Sequence, residues 1–245
     1  MSQRTVVISD IHLGAIPPDR ETAFLSFLHR VGDLADDLLI NGDLFDFWYE
    51  YGQVIPRGQL PVLSALHELK RSGMTIRFLG GNHDAWAGSF LADEVGLEVI
   101  DDPAEIRVGG RLALVAHGDG LGAGDRRYRA LRRTLRSAPV RWAFRVIHPD
   151  LGIPLARRAS RTEMRARDGG PNTSPRSDEL ERHARALLSD RPDLDLVIFG
   201  HTHDPRLVEV EDGRFYLNSG DWTNHSSYTV VTPEEIELVE EAAIT

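Results

Sequence analysis

Five short polar motifs of the chain contain residue types that bind metal ions in proteins. Together they supply two Asp, one Asn and four His: Asp10, His12, Asp43, Asn82, His117, His201 and His203. The chain contains no Cys, so any metal must be held by nitrogen and oxygen donors. Such donors suit Mn²⁺, Fe²⁺, Zn²⁺ or Mg²⁺. Seven donor groups are too many for one tetrahedral ion and match two divalent ions that share a carboxylate.

The spacing of these residues indicates that their side chains converge. Asp10 and His12 are two positions apart, as are His201 and His203. In an extended strand end, residues at this spacing point to the same side. A glycine precedes or follows a candidate ligand in four motifs, where a side chain would keep the backbone from approaching closely: Gly42, Gly81, Gly118 and Gly200.

A short apolar, β-branched run precedes each motif and predicts a strand there. The runs are TVVIS (5–9), DLLIN (37–41), TIRFLG (75–80), LALVA (112–116) and DLVIF (195–199). Apolar residues at helical spacing lie between the first three strands, around Phe24 and Leu66. This alternation is typical of an α/β fold, in which ligands bind beyond the carboxyl ends of the strands. We therefore expect the five motifs to meet at one place.

The rhythm of the chain changes after residue 203. Four strand-like runs follow without an intervening helix: RLVEV (206–210), RFYLNS (214–219), SYTVV (227–231) and EIELV (235–239). Their turn signals, such as Asp212-Gly213, predict antiparallel strands. The whole pattern predicts two packed β-sheets flanked by helices.

Residues 121–175 interrupt the strand pattern with an Arg-rich, helical segment. This segment contains thirteen Arg and four acidic residues, a local net charge of +9 in a chain whose net charge is −10. We predict a core of residues 1–120 and 176–245 and a basic helical cap of residues 121–175. The Arg residues form either solvated helix faces or a lid that faces an anion.

Two apolar groups also leave alternatives open. Apolar residues of the cap form an acyl groove, a membrane-touching face or the cap's own core: Trp142, Phe144, Val146, Ile147, Leu151, Ile153 and Leu155. The aromatic residues after Asp43 line a pocket or fill the core: Phe45, Phe47, Trp48, Tyr49 and Tyr51.

Charge and hydropathy narrow the class of protein. The acidic chain, with a pI near 5.5, is unlike a non-specific nucleic-acid binder, so no nucleic acid is expected. No segment has the roughly 20 apolar residues that cross a bilayer, and the N-terminus has no signal-peptide pattern. We expect a cytoplasmic protein.

The five motifs, in order over residues 5–203, resemble those of the calcineurin-like metallophosphoesterase superfamily. The resemblance implies that the strands after residue 203 belong to a second sheet, and that Asp43 bridges two metal ions. One ion would bind Asp10, His12, Asp43 and His203, and the other Asp43, Asn82, His117 and His201. The resemblance also implies that His83 stabilises a phosphate oxygen or acts as a general acid, while Asp84 orients its ring.

Within that superfamily, the chain is similar to the UDP-2,3-diacylglucosamine pyrophosphohydrolases of lipid A synthesis. The length, SDIHLG near the start, the segment from Gly42 to Trp48 and the basic cap carry the likeness. His83 stands where the well-studied members have Arg, which indicates a His-containing branch. The family forms UMP and 2,3-diacylglucosamine 1-phosphate, usually with Mn²⁺. By loose alignment, the cap residues that would contact substrate are Asp125, Tyr128, Arg157, Arg158, Ser160 and Arg161.

Two other functions are compatible with the same motifs. The chain could be a phosphodiesterase or phosphomonoesterase acting on a soluble nucleotide or a phosphoprotein. It could also be a metal-dependent scaffold without catalysis, although the complete ligand set and His83 argue against this.

Overall fold

The computed structural model describes residues 3–121, 126–160 and 175–241. Its strands are β1 (Thr5–Ile8), β2 (Asp37–Asn41), β3 (Thr75–Leu79), β4 (Glu98–Ile100), β5 (Ala104–Val108), β6 (Arg111–Val115), β7 (Leu196–Ile198), β8 (Arg206–Glu211), β9 (Arg214–Asn218), β10 (Ser227–Val231) and β11 (Ile236–Glu240). Its helices are α1 (Pro18–Leu34), α2 (Leu60–Arg71), α3 (Arg126–Leu135), α4 (Ala138–Arg145), α5 (Pro149–Ser160) and α6 (Pro175–Asp190), with a π-helical turn at Leu91–Val95.

The first sheet has six strands in the order β11-β10-β1-β2-β3-β4. Strands β1 to β4 run parallel to one another, and β10 pairs antiparallel with β1. Every residue of β1 and β2 is buried, as expected for central strands whose two faces are both covered. The predicted strands and the two helices between them are confirmed.

The second sheet has five strands in the order β5-β6-β7-β9-β8. Strands β6, β7 and β9 run parallel, whereas β5 and β8 are antiparallel edge strands. The expectation that all strands after residue 203 join this sheet is wrong. Strands β10 and β11 extend the first sheet instead, because β10 pairs with β1, with Val6 opposite Val230.

Three apolar layers hold the sheets and helices together. Side chains of the two sheets, such as Leu39 and Ile198, meet between them. Helices α1 and α2 cover the outer face of the first sheet through residues such as Phe27 and Leu66. Helix α6 covers the outer face of the second sheet through Leu180 and its neighbours. The predicted fold of two packed sheets flanked by helices is confirmed.

Helices α3, α4 and α5 belong to the predicted cap. None of the eight residues of α4 is buried, and Trp142, Val146 and Leu151 are each about 70% exposed. The interpretation as the cap's own core is therefore wrong for these three side chains, because most of their surface is exposed. No described helix combines the length and the apolar character needed to cross a membrane.

Candidate metal centre

The structure brings the seven candidate ligands together beyond the carboxyl ends of the strands. Three groups of side chains have their ligand atoms within 4.8 Å of one another. They are Asp10, His12 and His203; His12, Asp43 and His83; and Asp43, His117 and His201. The amide oxygen of Asn82 lies 3.2 Å from Nε2 of His117 and so joins the third group.

Five of these residues have left-handed backbone conformations. The φ angles are 54° at Asp10 and His12, 52° at Asp43, 68° at His201 and 59° at His203. Such conformations cost a non-glycine residue about 1–3 kcal/mol and concentrate at functional sites. Asp10 and His12 therefore converge because of tight left-handed turns, and the expected extended strand end is wrong for both pairs.

Glycines allow the backbone to approach the ligands closely. A Cβ atom at Gly81 would lie 2.1 Å from Oδ1 of Asp43, and one at Gly42 would lie 2.2 Å from Nδ1 of His117. At Gly200 it would lie 2.8 Å from Oδ2 of Asp10. All three distances are shorter than a real side chain tolerates, so these positions require glycine.

Asp43 lies at the middle of the cluster and uses its two oxygens differently. Oδ1 accepts the backbone N–H of His83 at 2.9 Å. Oδ2 faces the imidazoles, 3.3 Å from Nε2 of His117 and 3.7 Å from Nε2 of His12. Burial would raise the pKa of Asp43, but His117 and His83 hold it well below its ordinary value. The ionised Oδ2 is thus placed between the two groups of ligands.

The histidines direct ring nitrogens at the same space. Nδ1 of His117 donates to the carbonyl of Asn41 at 3.1 Å, so its Nε2 faces the cluster. Nε2 of His12 and Nε2 of His203 lie only 3.2 Å apart.

The four imidazoles differ in their tendency to hold a proton. Burial lowers the pKa of His12 and of His201 well below the ordinary value, which favours the neutral form that binds metals. Although burial opposes it, the charge of Asp43 raises the pKa of His117 well above the ordinary value, and neighbouring carboxylates raise that of His203. Cations bound here would displace the Nε2 protons of His117 and His203, because only an unprotonated nitrogen ligates a metal.

His83 lies beside this cluster, but its ring is not oriented as expected. Its Nδ1 donates to the backbone carbonyl of Asp46 at 2.8 Å, and its Nε2 lies 3.9 Å from Oδ2 of Asp43. The two oxygens of Asp84 accept the backbone N–H groups of Leu44 (2.8 Å) and Gly81 (2.6 Å). The expectation that Asp84 orients the His83 ring is wrong, because both oxygens of the Asp84 carboxylate accept backbone N–H groups instead.

Asp84 is a buried carboxyl group next to another carboxylate. Burial, together with the charge of Asp43, raises the pKa of Asp84 to about 7. Because its two hydrogen bonds come from the loops that carry Asp43 and Asn82, Asp84 ties the second and third motifs together.

A cavity of about 490 Å³ opens between the metal centre and the cap. Its lining includes Asn82, His83 and His201, together with Tyr128 and three Arg. The lining also includes apolar side chains: Phe47, Trp86, Leu131, Leu135, Phe144 and Leu155. The cavity therefore combines charged and metal-ligating groups with apolar side chains.

Of the aromatic residues after Asp43, some fill the core and one lines the cavity. Phe45 and Trp48 are buried and stacked in the core, with ring centroids 4.2 Å apart. Phe47 lines the cavity and packs against Trp86 and Phe144.

Arg132 of α3 and Arg136 directly after it hold the cap helix against the core. Arg132 forms ion pairs with Asp102 and with the buried Asp119, the latter at 2.7 Å. Arg136 donates to the carbonyl of Gly81 at 3.0 Å. Both side chains line the cavity, but they also pair with groups of the core. Their positive charge is therefore only partly available to an anion in the cavity.

The predicted substrate-binding residues fall in different places. The hydroxyl of Tyr128 donates to Asp119 at 3.4 Å, and burial raises the pKa of this tyrosine. The guanidinium of Arg157 packs against Gly14, just beyond His12, whereas Arg158 is exposed. Asp125, Arg161 and the side chain of Ser160 lie outside the described residues.

Sequence reasoning missed Asp221, whose Oδ2 lies 2.8 Å from Nδ1 of His203. A signal was present: Gly220-Asp221 follows a strand, as Gly42-Asp43 does. It also missed Arg132, which no motif marks, and the carbonyl of Asp46, since backbone contacts have no sequence signature.

Comparison with known proteins matches residues 3–205 to the calcineurin-like phosphoesterase family, and the chain belongs to this family. Several relatives align with this chain over more than 90% of both lengths. The UDP-2,3-diacylglucosamine hydrolase of Porphyromonas gingivalis is 30% identical, covering 94% of each chain. That of Aeromonas salmonicida is 34% identical, covering 96% of this chain and 92% of the relative. That of Escherichia coli is 30% identical, covering 96% of this chain and 98% of the relative.

Proposed function

We propose that this protein hydrolyses the pyrophosphate of UDP-2,3-diacylglucosamine to UMP and 2,3-diacylglucosamine 1-phosphate. The observation that carries the proposal is the cavity, whose lining divides between apolar side chains of the core and cap and charged or metal-ligating groups of the cluster. A substrate with acyl chains next to a pyrophosphate has the same division. The names of the relatives support this substrate.

The ligand cluster would hold two divalent ions, with Mn²⁺ expected. Asp10, His12 and His203 would bind one ion, Asn82, His117 and His201 the other, and Asp43 both. When bound, the ions supply positive charge to phosphate oxygens and lower the pKa of a water molecule toward neutrality.

Side chains beside the ligand cluster would carry out the remaining steps. His83 would act at Nε2, because Nδ1 is engaged by the carbonyl of Asp46. As an imidazolium it would donate from Nε2 to a phosphate oxygen or give that proton to the leaving oxygen. Tyr128 lines the cavity with its ring centroid 6.4 Å from that of His201, so its edge is available to the sugar or phosphate. We retain Arg157, Arg158, Asp125, Ser160 and Arg161 as proposed substrate contacts.

The test compares an acylated and a small substrate in two matched variants of α5. Leu155 is one of the apolar residues that line the cavity, whereas Leu151, one turn earlier, is similarly exposed and does not line it. With a water-soluble short-chain UDP-diacylglucosamine, Leu155→Ser should raise KM about tenfold, since burying a Leu contributes about 1.5–3 kcal/mol. Leu151→Ser should leave KM unchanged.

Released UMP measures the reaction, and bis(p-nitrophenyl) phosphate serves as the small substrate. Neither variant should alter turnover of the small ester, because it has no acyl chain to contact these side chains. Equal or better kcat/KM for the small ester than for the acylated nucleotide would refute the lipid substrate and favour a soluble ester. No turnover of either by the metal-loaded protein would favour a scaffold.

We also propose that the cap contacts the inner surface of the cytoplasmic membrane. Trp142 in α4 and Val146 directly after this helix are exposed next to Arg141 and Arg145 in the sequence, the combination of apolar and basic groups that binds anionic lipid surfaces. Flotation with phosphatidylglycerol vesicles should recover the wild type and lose Trp142→Ser; equal recovery of both would contradict the contact.

A further inference from the structure

Asp221 is a buried carboxylate behind the metal centre that none of the five motifs includes. It follows β9, which lies parallel to β7, so both strands deliver their next residues to the same edge of the sheet. The side chain is fully buried, and its Oδ2 lies 2.8 Å from Nδ1 of His203. The orientation of the carboxylate is also held, because Oδ1 accepts the backbone N–H groups of Asn224 (3.1 Å) and His225 (3.0 Å).

This contact determines which nitrogen of His203 carries the proton. An ionised carboxylate only accepts hydrogen bonds, so Nδ1 of His203 must be the donor. In the neutral ring the lone pair of His203 is then at Nε2, which lies 3.5 Å from Oδ1 of Asp10 and 3.2 Å from Nε2 of His12. Asp221 therefore selects the tautomer of His203 that can ligate a cation through Nε2.

The two groups of ligands are supported unequally. In the other group, Nδ1 of His117 donates to the neutral carbonyl of Asn41. A hydrogen bond to a charged acceptor is roughly twice as strong as one to a neutral acceptor and makes the opposite ring nitrogen more basic. The His203 group also contains two carboxylates, Asp10 and Asp43, whereas the His117 group contains Asp43 and the neutral amide of Asn82.

We infer that Asp221 is a positioning residue that orients His203 and makes the cation site containing His203 the tighter of the two. This inference concerns the order and affinity of cation binding, and it holds whatever substrate the protein cleaves.

The test measures binding of Mn²⁺ alone to metal-free protein by calorimetry. Wild type should bind in two steps of different affinity. Asp221→Asn should weaken the tighter step by roughly 10–100-fold, the usual effect of removing a hydrogen-bonding partner of a ligand, and leave the weaker step unchanged. The asparagine preserves the shape of the side chain, while its NH₂ group cannot accept from Nδ1.

Asp204→Asn is the matched control. Asp204 is adjacent to His203 and carries the same charge, but its carboxylate pairs with Arg206 at 2.6 Å. This variant should retain both binding steps. If it weakens the tighter step as much as Asp221→Asn does, general electrostatics accounts for the effect and the inference fails. Two equal steps in the wild type would also overturn it.

A second readout does not depend on any variant folding. In metal-free, ¹⁵N-labelled wild type, at a pH high enough for the ring to be neutral, the ring nitrogens of His203 should show the proton at Nδ1 and a bare Nε2. A proton at Nε2 would overturn the role assigned to Asp221, even if Asp221→Asn proved unstable.

Discussion

Gly81→Ala adds a single methyl group at the point where the third motif passes the proposed bridging carboxylate. The new Cβ would lie 2.1 Å from Oδ1 of Asp43 and 2.6 Å from its backbone nitrogen, whereas real Cβ contacts essentially never fall below 3.0 Å. The φ angle of Gly81 is not in the left-handed region. Steric conflict with Asp43 is therefore the whole perturbation.

The conflict must be relieved by moving either the carboxylate or the backbone. Asp43 cannot turn freely, because Oδ1 accepts the N–H of His83 and Oδ2 faces three imidazoles. A displacement of about 1 Å at a catalytic group costs roughly 100-fold in rate, and overpacking a buried site costs about 1–3 kcal/mol of stability. We expect Gly81→Ala to remain folded, to bind less metal and to lose about 100-fold in kcat.

Gly80→Ala is the matched control for this experiment. A Cβ at the neighbouring Gly80 would meet its nearest atom, the backbone oxygen of Asp84, at 3.6 Å, an ordinary van der Waals contact. Metal content by mass spectrometry and turnover of bis(p-nitrophenyl) phosphate would be measured for both variants. If Gly81→Ala retains full metal content and a kcat within twofold of Gly80→Ala, the close approach does not position Asp43.

Two further substitutions separate the ligands from the residues that act on substrate. Asp43→Ala should abolish activity and reduce the content of both ions together, because its Oδ2 faces both ligand groups; metal analysis showing one tightly held ion and measurable turnover would contradict a bridging role. His83→Ala should retain full metal content but lose about 10²–10⁴-fold in kcat, as when a general acid is removed. Metal loss in that variant would show that His83 is itself a ligand.

Local pattern was sufficient to predict most of the elements. Strands β1, β2 and β3 are buried apolar runs, and α1 and α2 repeat apolar residues at helical spacing. Strands β4 and β5 were missed because β4 has only three residues and the two strands together contain one buried residue, Val108, so neither is a buried apolar run. The placement of β10 also could not be predicted, because it depends on pairing with β1 from the opposite end of the chain.

The cap shows the same division between local and non-local information. Its positive charge and helical character were visible in the composition. The ion-pair partners of these Arg residues could not be predicted from composition, because Arg132 pairs with Asp102 and Asp119, which lie in distant loops. Exposure of Trp142 likewise depends on which helices pack together, and periodicity within one helix does not reveal its partners.

The amino-acid sequence by itself determined the donor types, their order and their position after strands, since residue type and local period suffice for these. The tertiary structure alone decided how the donors meet: left-handed turns aim Asp10 and His12, and the orientation of Asp43 directs Oδ2 at the imidazoles. It also decided which distant groups, such as Asp221 for His203, hold the ring protons. These features depend on atoms that lie far apart in the chain, and only folding brings such atoms into hydrogen-bonding range.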